Sequence, residues 1–304
     1  MLEFDSSFFD GETRCDFYIE PTMKRAWAVE MEVLSQVIRV CEKYGIPYFA
    51  AYGTLLGAIR HKGYIPWDDD IDIALKRADY QKLLKVLPKE LPAGYVVESY
   101  YNVTDHQQPA ATVMNTRYIL TDKKIIQKFY GCPYICGIDI YPIDYIPDDL
   151  EEQNLQRQLY GIILSVALNF CKYEAEGSLA GYVSEIEQLC RVSLHYDSTL
   201  RQQLFLLADQ IAGMYNESEC KECTIISDSW QRKDANFKFP KHWFDDTVSM
   251  PFENISIKAP ACYENVIKKI YGENYLMPVR FNQSHAYPFY KAQQEFLDAN
   301  GIHI

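Results

Sequence analysis

The chain has 304 residues, 48% of them hydrophobic, which is ample for a packed core with or without an appendage. Thirty basic and 42 acidic residues leave a formal charge of −12. That balance excludes a nucleic-acid backbone as the main partner, because phosphate chains need clustered cations, but it leaves room for a small nucleotide held by a few local groups and a metal.

The nine cysteines are odd in number and scattered, so they do not form a secreted disulfide framework; reduced thiols in a cytosolic protein are the plainer reading. The opening run MLEFDSSFFDGETRCDF has neither a basic start nor an apolar segment and is not read as a signal peptide. Residues 22–44 are predicted as a helix, since Met23, Trp27, Met31, Leu34, Ile38 and Cys41 recur at steps of four or three. Thr22 is expected to cap its start, Gly45 to close it and Pro47 to stop it. Tyr48 to Tyr52 reads as a short buried strand, and Gly53 to Arg60 as a strand-to-helix turn with a short helix. A basic loop, Arg60-His61-Lys62-Gly63, leads to a strand at Ile71 to Leu75 entered from Asp68-Asp69-Asp70. Tyr80 to Leu87 reads as a helix ended by Pro88 and Pro92, with shorter strands at 95–100, 111–120 and 136–141.

From Asp149 to about Tyr215 the pattern turns helical in three segments, broken near Gly177 and Tyr196. The greasiest stretch, Leu159 to Cys171, contains Ser165 and Asn169. A membrane span wants roughly 18 or more apolar residues, so this is a buried helix, with a peripheral membrane contact left open. Val248 to Phe252 and Ile255 to Lys258 are expected to pair across Glu253-Asn254, followed by helices at Tyr263 to Tyr271 and at 290–299. The expected class is α/β (α+β), a mixed sheet flanked by helices: a catalytic core over 1–148 and a mainly helical part over 149–304 packed on it.

The strongest chemical signal is Trp67-Asp68-Asp69-Asp70-Ile71-Asp72, four carboxylates in five positions whose repulsion a cation would resolve. On an extended strand Asp68, Asp70 and Asp72 share one face and Asp69 points away. Hard oxygen ligands suit Mg²⁺, which usually takes one or two carboxylates plus substrate phosphates. A solvated acidic turn is the bland alternative, but this run leads straight into an apolar strand, where carboxylates are costly unless something binds them. A calcium loop starting at Asp68 would need Gly sixth and Glu twelfth, and those positions hold Ile73 and Asp79. A glycosyltransferase holding a sugar nucleotide through Asp70 and Asp72 stays open at this point. Upstream, Gly53-Thr54 opens a helix, where backbone N–H groups bind anions, glycine allows close approach and threonine adds a hydroxyl. A third carboxylate is expected from Asp139, which interrupts the apolar run Ile135 to Ile143; its carboxylate should lie near those of Asp70 and Asp72, while Asp144 reads as a turn residue with a lesser claim.

The run from Gly53-Thr54-Leu55-Leu56-Gly57 through Arg60-His61-Lys62-Gly63 to Pro66-Trp67-Asp68-Asp69-Asp70-Ile71-Asp72 resembles the signature of the LicD family. Ile138 to Asp144 is similar to a second block of that family, and Ile270-Tyr271-Gly272-Glu273-Asn274-Tyr275 to a third. The likeness runs from about residue 22 to about residue 291, poorly matched near 150–240. The tail departs from the family's adjacent histidines, with only His285 in Ser284 to Lys291.

The resemblance implies a nucleotidyltransferase fold and transfer of phosphocholine, or a related phospho-alcohol, from a CDP-activated donor to a hydroxyl of a cell-surface glycan or teichoic acid precursor. The expected location is the cytoplasm, with the inner face of the membrane left open. The resemblance makes Asp70, Asp72 and Asp139 the ligands of one or two Mg²⁺, with Mn²⁺ the alternative ion, and Gly53-Thr54 the phosphate turn. Arg60 and Lys62, close in sequence, are read as cations for the leaving phosphate, with a solvated basic loop as the plain alternative. Asp68, Trp67, Asp144 and His285 are further candidates. A choline head would want an aromatic cage, with Trp67, Tyr64, Tyr141 and Tyr145 near the motif. Cys132, Cys136, Cys220 and Cys223 have zinc-like spacing, but unrelated thiols are the expectation. A nucleotidyltransferase adding a nucleoside monophosphate, and a non-catalytic scaffold keeping the fold, complete the alternatives.

Overall fold

A computed structural model describes residues 1–280 and 287–302. In chain order it runs β1 (Glu12–Arg14), β2 (Phe17–Ile19), α1 (Pro21–Tyr44), β3 (Phe49–Ala50), α2 (Tyr52–Arg60), β4 (Asp72–Lys76), α3 (Arg77–Glu90), β5 (Val96–Glu98), β6 (Ala111–Met114), α4 (Lys123–Lys128) and β7 (Gly137–Ile146). Then follow α5 (Leu150–Leu168), α6 (Phe170–Ala175), α7 (Leu179–Cys190), α8 (Leu200–Ala212), β8 (Glu222–Thr224), α9 (Ile226–Gln231), β9 (Phe239–Pro240), β10 (Thr247–Phe252), β11 (Ile255–Pro260), α10 (Tyr263–Tyr271) and α11 (Lys291–Ala299). The class is α+β, with a mixed sheet and flanking helices.

The chain divides into two units, 1–97, 112–140 and 243–304 in the first, 98–111 and 141–242 in the second. The division therefore does not follow a single boundary at 148–149. The segment from Trp243 onward rejoins the first unit, because β11 packs on β3 and β10 and α10 pack on α2.

In the first unit the strands run β3-β4-β7-β6-β5, with β3 antiparallel to β4 and Phe49 opposite Ala74. α1 is buried beyond a single stripe: Met23, Trp27, Met31, Leu34 and Val37 are at most 1% exposed, and so are Glu30 and Glu32. The Trp27 indole stacks on Tyr64 at 4.3 Å and 2°, a contact worth about 0.5–1.5 kcal/mol beyond its buried area. Pro21 at the first helical position starts α1 after Glu20, so Thr22 lies inside the helix rather than capping it. Gly45, left-handed at φ 60°, closes it as expected. α3 passes through Pro88 and ends at Glu90, three residues beyond the expected end at Leu87. The hairpin β10–β11 has Phe252 opposite Ile255 across Glu253-Asn254, as the sequence predicts.

In the second unit, β8 pairs antiparallel with the end of β7, Asp144 facing Thr224, and β9 pairs with β8. α5 and α8 form its core around Ile163, Leu164, Ala167, Leu204 and Phe205, all at most 2% exposed. The greasy stretch of α5 is thus largely spent on packing. Among the described residues no helix is long and apolar enough to cross a membrane.

Candidate functional site

The site grows from the junction of β3, α2 and β4. The Ala51 N–H donates to the Asp72 carbonyl (3.0 Å), and the Asp72 N–H donates to Thr54 Oγ1 (2.8 Å). Thr54 is buried in the first turn of α2, so its oxygen serves first to fasten the helix start to β4. The Asp139 N–H donates to the Ile71 carbonyl (2.9 Å), which sets β7 beside the entry to β4. Asp139 is half-buried and its Oδ1 accepts the Thr112 hydroxyl at 2.7 Å. Thr54, Asp72 and Asp139 are therefore brought together at the backbone level, across 86 residues of chain, in one unit.

The acidic run does not have the strand geometry expected of it. β4 begins at Asp72, and residues 68–70 form a loop. Its fixings come from distant chain rather than from a ladder: the Trp27 indole N–H donates to the Asp68 carbonyl (3.2 Å), and the Phe289 N–H to Asp69 Oδ2 (2.6 Å). Asp69, expected to point away, is 1% exposed and receives the C-terminal segment. Asp70 is half-buried and Asp72 is 8% exposed. Beneath this loop lies Glu30, its carboxylate accepting the Tyr64 hydroxyl at 2.9 Å. Burial, then the negative charge of Asp69, push the Glu30 carboxyl well above its ordinary value. Glu30 escapes sequence reading because it sits among the apolar residues of α1.

A pocket of about 330 Å³ opens at the same place, lined among others by Gly53, Arg60, Trp67, Asp68, Tyr271 and Tyr275. Asp70, Asp72 and Asp139 are not part of this lining. A Cβ at Gly53 would meet the end of the Asp68 carboxylate, which would have to shift to admit it. Arg60 reaches the carbonyls of Tyr275 (3.2 Å) and Met277 (3.3 Å), and its Nε–H donates to His61 Nε2 at 2.8 Å. Burial lowers the Arg60 guanidinium from its ordinary value, though an arginine stays charged in proteins. Burial, reinforced by Arg60 and Arg14, pushes the His61 imidazole down to about 4, so near pH 7 the ring is neutral and can accept that bond. Tyr271 and Tyr275, from the third sequence block, build the opposite wall.

The basic loop holds itself in place. Lys62 points its Nζ at the Ile59 carbonyl (3.2 Å), is exposed and is absent from the pocket lining; it finishes α2. Glu253 accepts two bonds from Arg14 (2.6 and 3.1 Å) and one from the Tyr64 N–H (3.2 Å), and its carboxylate fills the space a side chain at Gly63 would need. No local signal in the sequence marks Glu253 as the clamp of that loop. Asp144, read as a turn residue, is instead fully buried in β7 within the second unit. His285 lies outside the described residues. Tyr64 is core, 2% exposed, and Tyr141 and Tyr145 belong to the second unit.

Among the described residues no three His, Cys, Asp or Glu side chains are gathered into a ready-made metal cage. Carboxylates on β4 and β7 still suit an ion that takes one or two protein ligands and completes its shell with phosphates. Cys132 and Cys136 lie in the first unit with their sulfurs 3.7 Å apart, whereas Cys220 and Cys223 belong to the second. All nine cysteines are free thiols.

The family model described as LicD/FKTN/FKRP, nucleotidyltransferase domain, matches residues 45–128, a span that holds Gly53, Thr54, Arg60, Asp70 and Asp72 but ends before Asp139. The chain is 25% identical over 271 residues to the lipopolysaccharide cholinephosphotransferase LicD of Haemophilus influenzae, covering 86% of this chain and 94% of that protein. It is also 39% identical over 74 residues to an uncharacterised protein of Rickettsia prowazekii, covering 28% of that protein.

Proposed function

Taking as premise that this chain is related to the LicD family, we propose that it transfers a phospho-alcohol, phosphocholine first among them, from a CDP-activated donor to a hydroxyl of a glycan or glycolipid, releasing CMP. The observation that carries the proposal is the bond from the Asp72 N–H to Thr54 Oγ1, which holds an anion-binding helix start against a carboxylate suited to a phosphate-bound cation.

The donor's diphosphate meets the N–H groups at the start of α2. Asp70 and Asp72 would hold Mg²⁺, or Mn²⁺ in its place. When bound, the ion supplies positive charge against the diphosphate oxygens. Arg60, fixed at the pocket wall, offsets the charge of the departing CMP phosphate. The acceptor oxygen bonds to the phosphorus carrying the alcohol, the bond from that phosphorus to the CMP oxygen breaks, and Asp139 takes the hydroxyl proton. The nine free thiols support a reducing, cytoplasmic setting, at the inner face of the membrane if the acceptor is a glycolipid.

A thermal-shift panel tests the donor class. CDP-choline, CDP-ribitol, CDP-glycerol and UDP-sugars are each added with Mg²⁺; a ligand present at about 100 times its Kd stabilises the folded state by about 2.7 kcal/mol. The CDP-alcohols should raise Tm and the UDP-sugars should not. A rise confined to UDP-sugars would replace this reading with the glycosyltransferase one.

A further inference from the structure

Phe17 on β2, Trp67 before the acidic loop, and Tyr287 in the C-terminal segment meet at one corner of the first unit. The Phe17 ring lies 6.3 Å from Trp67 at 72° and 5.6 Å from Tyr287 at 76°. Rings set edge to face leave a corner bounded by aromatic walls instead of filling it as a stack would. That corner holds a cation. The Arg280 guanidinium carbon sits 4.3 Å from the Phe17 centroid and 5.7 Å from that of Trp67, within the range of cation–π attraction. Negative charge surrounds it: after burial, the carboxylates of Asp69, Glu20 and Asp68 push the Tyr287 phenol upward, and Arg280 opposes them. Trp67 is at once a wall of this corner and, with Gly53 and Arg60, a wall of the 330 Å³ pocket.

An aromatic corner backed by carboxylates selects cations that shed water cheaply. A guanidinium is one, and a quaternary ammonium is the small-molecule counterpart. Arg280 is exposed and next to the pocket-lining Val279. We propose that Phe17, Trp67 and Tyr287 form the site for the quaternary ammonium of the donor's alcohol, and that Arg280 occupies this site in the unliganded protein and is displaced when the donor binds. The proposal rests on the CDP-alcohol reading above and assigns the residues that would receive its head group. It also accounts for Trp67 standing beside the acidic run: the ring touches the alcohol while Asp70 and Asp72 would hold the cation that the phosphates need.

Calorimetry with CDP-choline, CDP-glycerol and free phosphocholine, each with Mg²⁺, tests it on the full chain and on Phe17→Leu and Arg280→Gln. Phe17→Leu should weaken CDP-choline and phosphocholine about tenfold, the scale of a desolvated cation–π contact, and change CDP-glycerol less than about twofold. Arg280→Gln should tighten both choline ligands several-fold by removing the competitor. If Phe17→Leu does not fold, the exposed Arg280→Gln decides alone. CDP-donor binding whose choline-to-glycerol ratio neither variant alters overturns the cage and leaves the CDP-alcohol reading intact. Phosphocholine binding sensitive to both variants, with no CDP donor bound, keeps the cage and sinks that reading. Absence of binding by either choline ligand to the unmodified chain overturns the cage.

Discussion

Asp72→Asn is expected to cut turnover by about a thousandfold or more, the upper scale for removing one preorganised electrostatic group at a reacting centre, while the protein keeps its fold. The substitution preserves shape. The two bonds that fasten the start of β4, Ala51 N–H to the Asp72 carbonyl and Asp72 N–H to Thr54 Oγ1, are made by the backbone of residue 72 and survive. What changes is one negative charge on a side chain only 8% exposed, on the strand adjoining that of Asp139 and two residues from Asp70. Removing like-charge repulsion from a site that keeps it for function tends to stabilise the unliganded state. Tm should therefore hold or rise by a few degrees, at about 2–4 °C per kcal/mol for a chain of this size class. Turnover and Tm measured on one preparation check both halves. An active variant removes Asp72 from the mechanism, and an unfolded one makes it structural.

Gly53→Val should weaken donor binding by two orders of magnitude or more. The argument begins with space: the added Cβ meets the Asp68 carboxylate, which must shift, and the branched side chain covers the α2 N–H groups assigned to the diphosphate. Overpacking of this kind costs about 1–3 kcal/mol, so the free protein should lose some Tm yet remain folded. Calorimetry against CDP-choline with Mg²⁺ separates the two effects, and unchanged affinity would make Gly53 a turn residue only.

Local order was readable in the sequence, and long-range order was not. α10 and the turn of the β10–β11 hairpin lie where periodicity and turn chemistry put them, because neighbouring residues decide both. Residues 68–70 depart from the strand their sequence suggests because their fixings, the Trp27 indole and the Phe289 N–H, lie 41 and 220 residues away in the chain. The same cause hid Glu253, whose partners Arg14 and Tyr64 are 239 and 189 residues distant. Glu30 was hidden differently, as a carboxyl kept in an apolar helix face by the Tyr64 hydroxyl. Gly53-Thr54 and Asp70-x-Asp72, on which the proposed chemistry rests, are close in sequence and so visible there. The aromatic corner was legible only at Trp67, since Phe17 and Tyr287 are brought in from opposite ends of the chain.

The most direct measurement is ³¹P NMR of the protein incubated with CDP-choline, Mg²⁺ and a lipopolysaccharide-derived glycan. The account predicts CMP and a new phosphodiester resonance growing together, both abolished by chelation of the metal. CDP-choline left intact under these conditions, alongside transfer of a sugar from a UDP-sugar by the same preparation, would contradict it.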